Sequence, residues 1–132
     1  VEAEVVGGCL DLICSSIGTP HELDTSGKIL FFEDVNISPE RYTNELTQMR
    51  LAGKFDNIKG LIVTKIIKCK QAVEYFKAFA QEIGLNVPTI IEFDSGHTLR
   101  KVPIPLGGWC RINTYEGTIS FQAIEFEMDS TK

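Results

Sequence analysis

Apolar residues recur along this chain in stretches of helical spacing separated by short unbroken runs, and that alternation predicts its elements. After Gly7 and Gly8, the residues Cys9, Leu10, Ile13, Cys14 and Ile17 fall at helical spacing, and Gly18 before Thr19-Pro20 supplies a stop, which predicts a short helix. HELDTSG is polar and turn-rich. KILFFEDV is a nearly continuous apolar run between Gly27 and Asn36, and it predicts a buried strand ending at Glu33 and Asp34. Ser38, Pro39 and Glu40 combine a hydroxyl N-cap, a proline at the first helical position and an acid near the positive end of the helix dipole. Tyr42, Leu46, Met49 and Gly53 then share one stripe, so this helix ends near Gly53. IKGLIVT predicts a second strand. QAVEYFKAFAQEIG predicts a helix with Val73, Phe76, Ala80 and Ile83 on one stripe and Gly84 as its C-cap, and VPTIIEF predicts a third strand.

The order helix, strand, helix, strand, helix, strand calls for a small parallel sheet, because crossovers between parallel strands are long and right-handed. After residue 94 the pattern changes. DSGHTLRKVPIPLGG, rich in proline and glycine, predicts an irregular loop. WCRINTYEGTISFQAIEF alternates about a turn at Tyr115-Glu116-Gly117, with Cys110, Ile112, Ile119 and Phe121 on one face, and predicts an antiparallel hairpin. The expected class is therefore α/β: a small mainly parallel sheet with flanking helices and a C-terminal antiparallel hairpin. MDSTK reads as a frayed end.

At 132 residues with 43% hydrophobic content, residues 1–132 form one domain with a core of its own. Thirteen basic against eighteen acidic residues give a net charge of −5, which argues against nucleic acid and anionic membrane as partners. No apolar run approaches the roughly 20 residues that span a bilayer. The start, VEAEVVGG, lacks the basic region and long apolar stretch of a secretion signal. Four cysteines (Cys9, Cys14, Cys69, Cys110) without a CxxC pair, and only two histidines, argue against a zinc site; buried free thiols in a reducing cytoplasm are the expectation.

Candidate chemistry gathers at strand ends. Glu33 and Asp34 stand at the C-terminal end of a buried strand, the edge where α/β sheets collect ligand-binding groups, although a carboxylate there also serves simply to cap a turn or helix. His97 lies in a glycine-containing loop just past the third predicted strand. If those strands are parallel, Glu33 and His97 emerge at one edge, where a carboxylate can fix the imidazole tautomer that a general base needs; an ordinary exposed loop histidine is the competing reading. A nucleophile is missing from the pattern. None of Ser15, Ser16, Ser26, Ser38, Ser95, Ser120 or Ser130 lies in a G-x-S-x-G elbow, and Ser95 is too near His97 in sequence to partner it. His21, Arg41, Arg50, Arg100 and Lys101 read as surface residues, and Trp109 as core.

The blocks GGCLDLICSSIGTP, GKILFFEDV, TQMRLAGKFDNIKGLIV and SGHT followed by PIPLGG occur in an order that resembles the C-terminal half of the LD-carboxypeptidase family of serine peptidases, which includes muramoyl-tetrapeptide carboxypeptidases and microcin immunity proteins. The resemblance runs from Gly7 to about Phe121. It implies a domain of the swivelling β/β/α type, the C-terminal half of a two-domain enzyme, that supplies the glutamate and histidine of a Ser-His-Glu triad, here Glu33 and His97, while the serine and oxyanion hole belong to an N-terminal partner domain. It further implies a murein tetrapeptide substrate cut at an L,D-peptide bond, no metal or organic cofactor, cytoplasmic recycling, site lining by Cys9 and Thr98, and a homodimer as a candidate assembly. The chain departs from the family pattern at Cys9, where asparagine often follows the paired glycines, and at TKIIKC, which lacks the acidic residues common there; the GHT form leans towards the microcin-immunity branch. Alternatives are hydrolysis of a peptidyl nucleotide amide, a non-catalytic binding domain, and a phosphohistidine-type swivelling domain. On its own the chain is expected to be inactive.

Overall fold

The computed structural model describes residues 1–122; the end of the predicted hairpin and MDSTK lie outside the described residues. The elements run β1 (Glu2–Cys9), α1 (Leu10–Ser16), β2 (Ile29–Glu33), α2 (Pro39–Leu51), β3 (Gly60–Thr64), α3 (Ala72–Glu82), β4 (Thr89–Phe93), β5 (Trp109–Asn113) and β6 (Thr118–Phe121). They build one six-stranded sheet in the order β4-β3-β2-β1-β5-β6. The first four strands pair in parallel, and β5 and β6 add an antiparallel hairpin alongside β1. The α/β class with its C-terminal hairpin is as expected from the sequence.

One central strand was not expected. β1 occupies residues that the sequence pattern treats as a lead-in, and the helix assigned from Cys9 begins at Leu10. The strand changes partner along its length: Glu2 to Glu4 pair with β5 and Val5 to Cys9 with β2. Its first half alternates acid with apolar residues and its second half runs into Gly7-Gly8-Cys9, so no unbroken apolar signal arises. Gly7 is needed where it stands. A Cβ there would lie 1.7 Å from the Phe31 carbonyl oxygen, and its φ of 147° is one that other residues rarely adopt.

Side-chain alternation divides the interior into two layers. Leu30, Phe32, Leu61 and Val63 join the helix-side core with Leu10, Tyr42, Leu46, Met49, Phe76 and Phe79. Ile29, Phe31 and Ile62 point the other way and meet Ala3, Val5, Cys110 and Ile112. All three helices therefore pack on one face, and the other is closed by the hairpin and by loop residues such as Ile104. Helix α2 has the expected start, with the Ser38 hydroxyl accepting from the Arg41 amide at 3.2 Å. The buried stripe of α3 is Ala72, Phe76 and Phe79, with Ala80 and Ile83 half-covered, so it is rotated from the expected stripe and leaves Val73 only partly buried. Phe79 displaces it because its ring packs edge-on against Phe55 at 5.3 Å. Trp109 is 52% exposed at the start of β5 and is not core. In the eBeBi burial pattern of β5 it falls on the exposed parity, and its neighbour Cys110 takes the buried one.

The contact at Gly7 sets a first test. Gly7→Ala should lower the unfolding free energy by about 3 kcal/mol or more, as expected when a side chain meets a backbone carbonyl in a central strand, measured by urea denaturation.

Candidate active site

The end of β2 places two adjacent carboxylates on opposite faces. Continuing the alternation of Phe31 and Phe32, Glu33 emerges on the face away from the helices and Asp34 on the helix side. They make different contacts. Buried Asp34 accepts from its neighbour Val35 N–H at 2.7 Å and from the Asp11 amide at 3.3 Å, and the Cys9 thiol lies 3.9 Å from its Oδ2. It thereby serves the first turn of α1, whose own N-cap, Cys9, supplies no side-chain bond. Capping, one reading of the Glu33-Asp34 pair, describes Asp34.

Glu33 faces His97. The imidazole Nδ1 lies 2.7 Å from Glu33 Oε2, with the Glu33 side chain 13% and the His97 side chain 54% exposed. When Nδ1 carries the proton and donates it to the carboxylate, Nε2 is left as an acceptor on an accessible ring.

Three local features carry His97 to this position. Between Ile62 and Thr64 the β3–β4 register slips, and on β4 the extra residue is accommodated at Glu92, whose φ is 59°. The bulge turns Phe93 into the layer shared by Ile29 and Phe31 and re-aims the chain that follows. Residues 94–108 contain no helix or strand, as the sequence predicts, but their base is fastened: Val102 N–H donates to Asp94 O at 2.7 Å and the Ser95 hydroxyl to Val102 O at 2.8 Å. The Lys65 ammonium also meets the Asp94 carboxylate at 2.5 Å. Gly96 then crosses directly over the carboxylate. A Cβ at Gly96 would lie 2.9 Å from Glu33 Oε2, and its φ of 71° suits glycine.

The other singled-out residues take distinct places. Cys9 pairs in register with Glu33 across β1 and β2 and is half-buried beside the pair. Thr98 is buried and its hydroxyl donates to the Arg100 carbonyl. Ser95 is buried with its hydroxyl committed to Val102. His21 is exposed, Arg41 pairs with Asp11 and with Glu45, and Arg50 pairs with Glu82. Leu99, two residues past His97, is fully exposed, and Leu12 on α1 is 68% exposed. Sequence reasoning offered capping for the Glu33-Asp34 pair without saying which carboxylate caps, and it missed the bulge at Glu92 and the crossing at Gly96. Only the last carried a local signal, a glycine immediately before the histidine.

Residues 2–112 match the LD-carboxypeptidase C-terminal domain family. The chain belongs to that family. It is 33% identical over 129 residues to the "Probable murein peptide carboxypeptidase" of Bacillus subtilis (strain 168), covering 92% of this chain and 40% of that protein. Among solved structures it resembles the muramoyltetrapeptide carboxypeptidase from Oxalobacter formigenes, with a TM-score of 0.75, 30% identity and coverage of 90% of this chain and 43% of that one. It shares its fold with the microcin C7 self-immunity protein MccF, with a TM-score of 0.82 at 24% identity over 94% of this chain and 39% of that one. The chain thus spans well under half the length of these relatives, and it corresponds to the C-terminal domain of a hydrolase family. Among the described residues, no helix is long and apolar enough to cross a membrane, and no group of three or more His, Cys, Asp or Glu side chains is gathered to hold a metal ion.

The thiols of this LD-carboxypeptidase domain differ in reach. Burial pushes the Cys14 thiol up to about 12 and the Cys110 thiol up to about 11, and burial also raises Cys69. Cys9 is raised by burial and by the Asp34 carboxylate, but it is the one of the four that is half-buried rather than buried. At pH 8 the native protein should therefore react with a disulfide reagent slowly and at no more than one site, Cys9, whereas all four thiols should react after denaturation. Rapid reaction of two or more in the native state would contradict this packing.

Proposed function

We propose that this domain supplies the Glu33–His97 half of a serine-type LD-carboxypeptidase site that removes the terminal D-residue from a murein tetrapeptide, the serine being carried by a separate N-terminal domain. The observation that carries the reading is the 2.7 Å contact between His97 Nδ1 and Glu33 Oε2 on an exposed edge. That contact is the base-and-orienter half of a nucleophilic triad.

In this mechanism the serine hydroxyl attacks the carbonyl carbon of the scissile bond while His97 Nε2 takes its proton. The imidazolium that forms is stabilised by Glu33, which keeps Nδ1–H in place and accepts no proton itself. Collapse of the tetrahedral intermediate breaks the C–N bond, and His97 returns the proton to the leaving amine of the D-residue. Water then attacks the acyl ester with His97 again as base, releasing the shortened peptide. Donors for the oxyanion belong with the serine on the other domain, so both partners are required. The committed hydroxyl of Ser95 agrees with a nucleophile supplied from elsewhere.

The test is reconstitution. The chain is incubated with an L,D-tetrapeptide and with a peptidyl nucleotide amide, alone and after addition of the serine-bearing domain from the same reading frame. The chain alone should release no D-residue; the mixture should release it from the tetrapeptide, and His97→Ala should lower the rate by about 10³-fold or more. Turnover by the chain alone, or undiminished activity with His97→Ala, would overturn the proposal. Hydrolysis confined to the nucleotide amide would transfer the substrate assignment to that chemistry.

A further inference from the structure

At the end of β3, Thr64 carries a buried hydroxyl that the contact between Glu33 and His97 does not use. Thr64 ends β3, is 2% exposed, and its buried Oγ1 has no hydrogen-bond partner among the described residues. Buried hydroxyls without partners are uncommon, and each asks for an explanation.

Strand register points to one. β2 and β3 pair in parallel, Phe31 with Ile62 and Phe32 with Val63, so the next step sets Glu33 beside Thr64. Alternation puts both side chains on the face of Phe31 and Ile62, away from the helices. On its other side Thr64 pairs with Phe93, whose ring offers no acceptor. Among the described residues, the one carboxylate that strand pairing sets beside this hydroxyl is Glu33. That carboxylate gives Oε2 to His97, and among the described residues no donor reaches its Oε1.

We propose that Thr64 is a positioning residue for Glu33: by rotation about its Cα–Cβ bond its hydroxyl donates to Oε1, and the carboxylate is then held at both oxygens. This rests on the reading of Glu33 and His97 as a working pair. A carboxylate held only through Oε2 can swing about its own side chain, and the imidazole swings with it. A second, charge-assisted bond from a buried β-branched residue removes that freedom. The covalent steps are those already given, and Thr64 exchanges no proton in them.

The experiment compares Thr64→Val, which keeps shape and loses the hydroxyl, with Thr64→Ser, which keeps the hydroxyl, and uses Thr64→Ala as a second deletion should the valine variant fail to fold. In the chain itself at low temperature, a His97 Nδ1–H resonance protected by the Glu33 contact should be lost or broadened in the valine and alanine variants and retained in the serine variant. In the reconstituted two-domain enzyme, kcat should fall on the order of tenfold with KM unchanged for Thr64→Val, the lower end of what removing an outer orienting group costs, and Thr64→Ser should restore it. A valine variant with the parent resonance, or equal losses in valine and serine variants, would overturn the proposal and leave Thr64 as packing. Because the resonance is read without substrate, a parent protein that hydrolyses nothing would defeat the peptidase reading while still deciding the role of Thr64.

Discussion

Side chains alternate across a strand, and at the end of β2 that period of two sends Glu33 and Asp34 to opposite faces of the sheet. Much else in the domain is arranged around this division. On the helix side, Asp34 takes the free amide of Asp11 and draws the β1–α1 junction, with Gly8 and Cys9, against the end of β2. On the other side, Glu33 is left to receive a histidine from a distant loop. Shifting the register by one residue would exchange the two roles, and the parallel pairing of β2 with both β1 and β3 is what prevents it.

Delivery of His97 to Glu33 is a problem of backbone conformation more than of attraction. A surface ion pair such as Lys65–Asp94, with both side chains about 40% exposed, contributes at most about 1 kcal/mol and could not hold a loop alone. Direction comes from the bulge at Glu92, closure of the base from Asp94, Ser95 and Val102, and clearance from Gly96. Loops built in this way present reactive groups at an edge while their bases remain continuous with the sheet. Leu99, on the same loop two residues past His97, is left fully exposed.

How far this was legible from the sequence follows from where each signal resides. Ser38-Pro39-Glu40 announced α2 because capping is a local interaction, and the run ILFF announced β2 because a strand covered on both faces needs apolar residues at every position. The expectation that Glu33 and His97 share an edge required only that their strands be parallel, and they meet. β1 was illegible because it is paired to two different neighbours along its length, and neither half reads as a full strand. The stripe of α3 was misjudged by about one position because ring packing between Phe79 and Phe55 depends on a partner 24 residues away. The burial of the Thr64 hydroxyl has no local signal either, since a threonine closing the run IKGLIVT would read the same at an exposed strand end.

A double-mutant cycle on kcat, run on this domain reconstituted with the proposed serine-bearing domain, tests the coupling of Glu33 and His97 most directly. Glu33→Gln and His97→Ala should each cost about 10³ to 10⁴-fold, and the double variant should be no slower than His97→Ala alone, because the carboxylate acts only through the imidazole. Losses that multiply, or a Glu33→Gln variant as fast as the parent, would show that the two residues do not work as a unit.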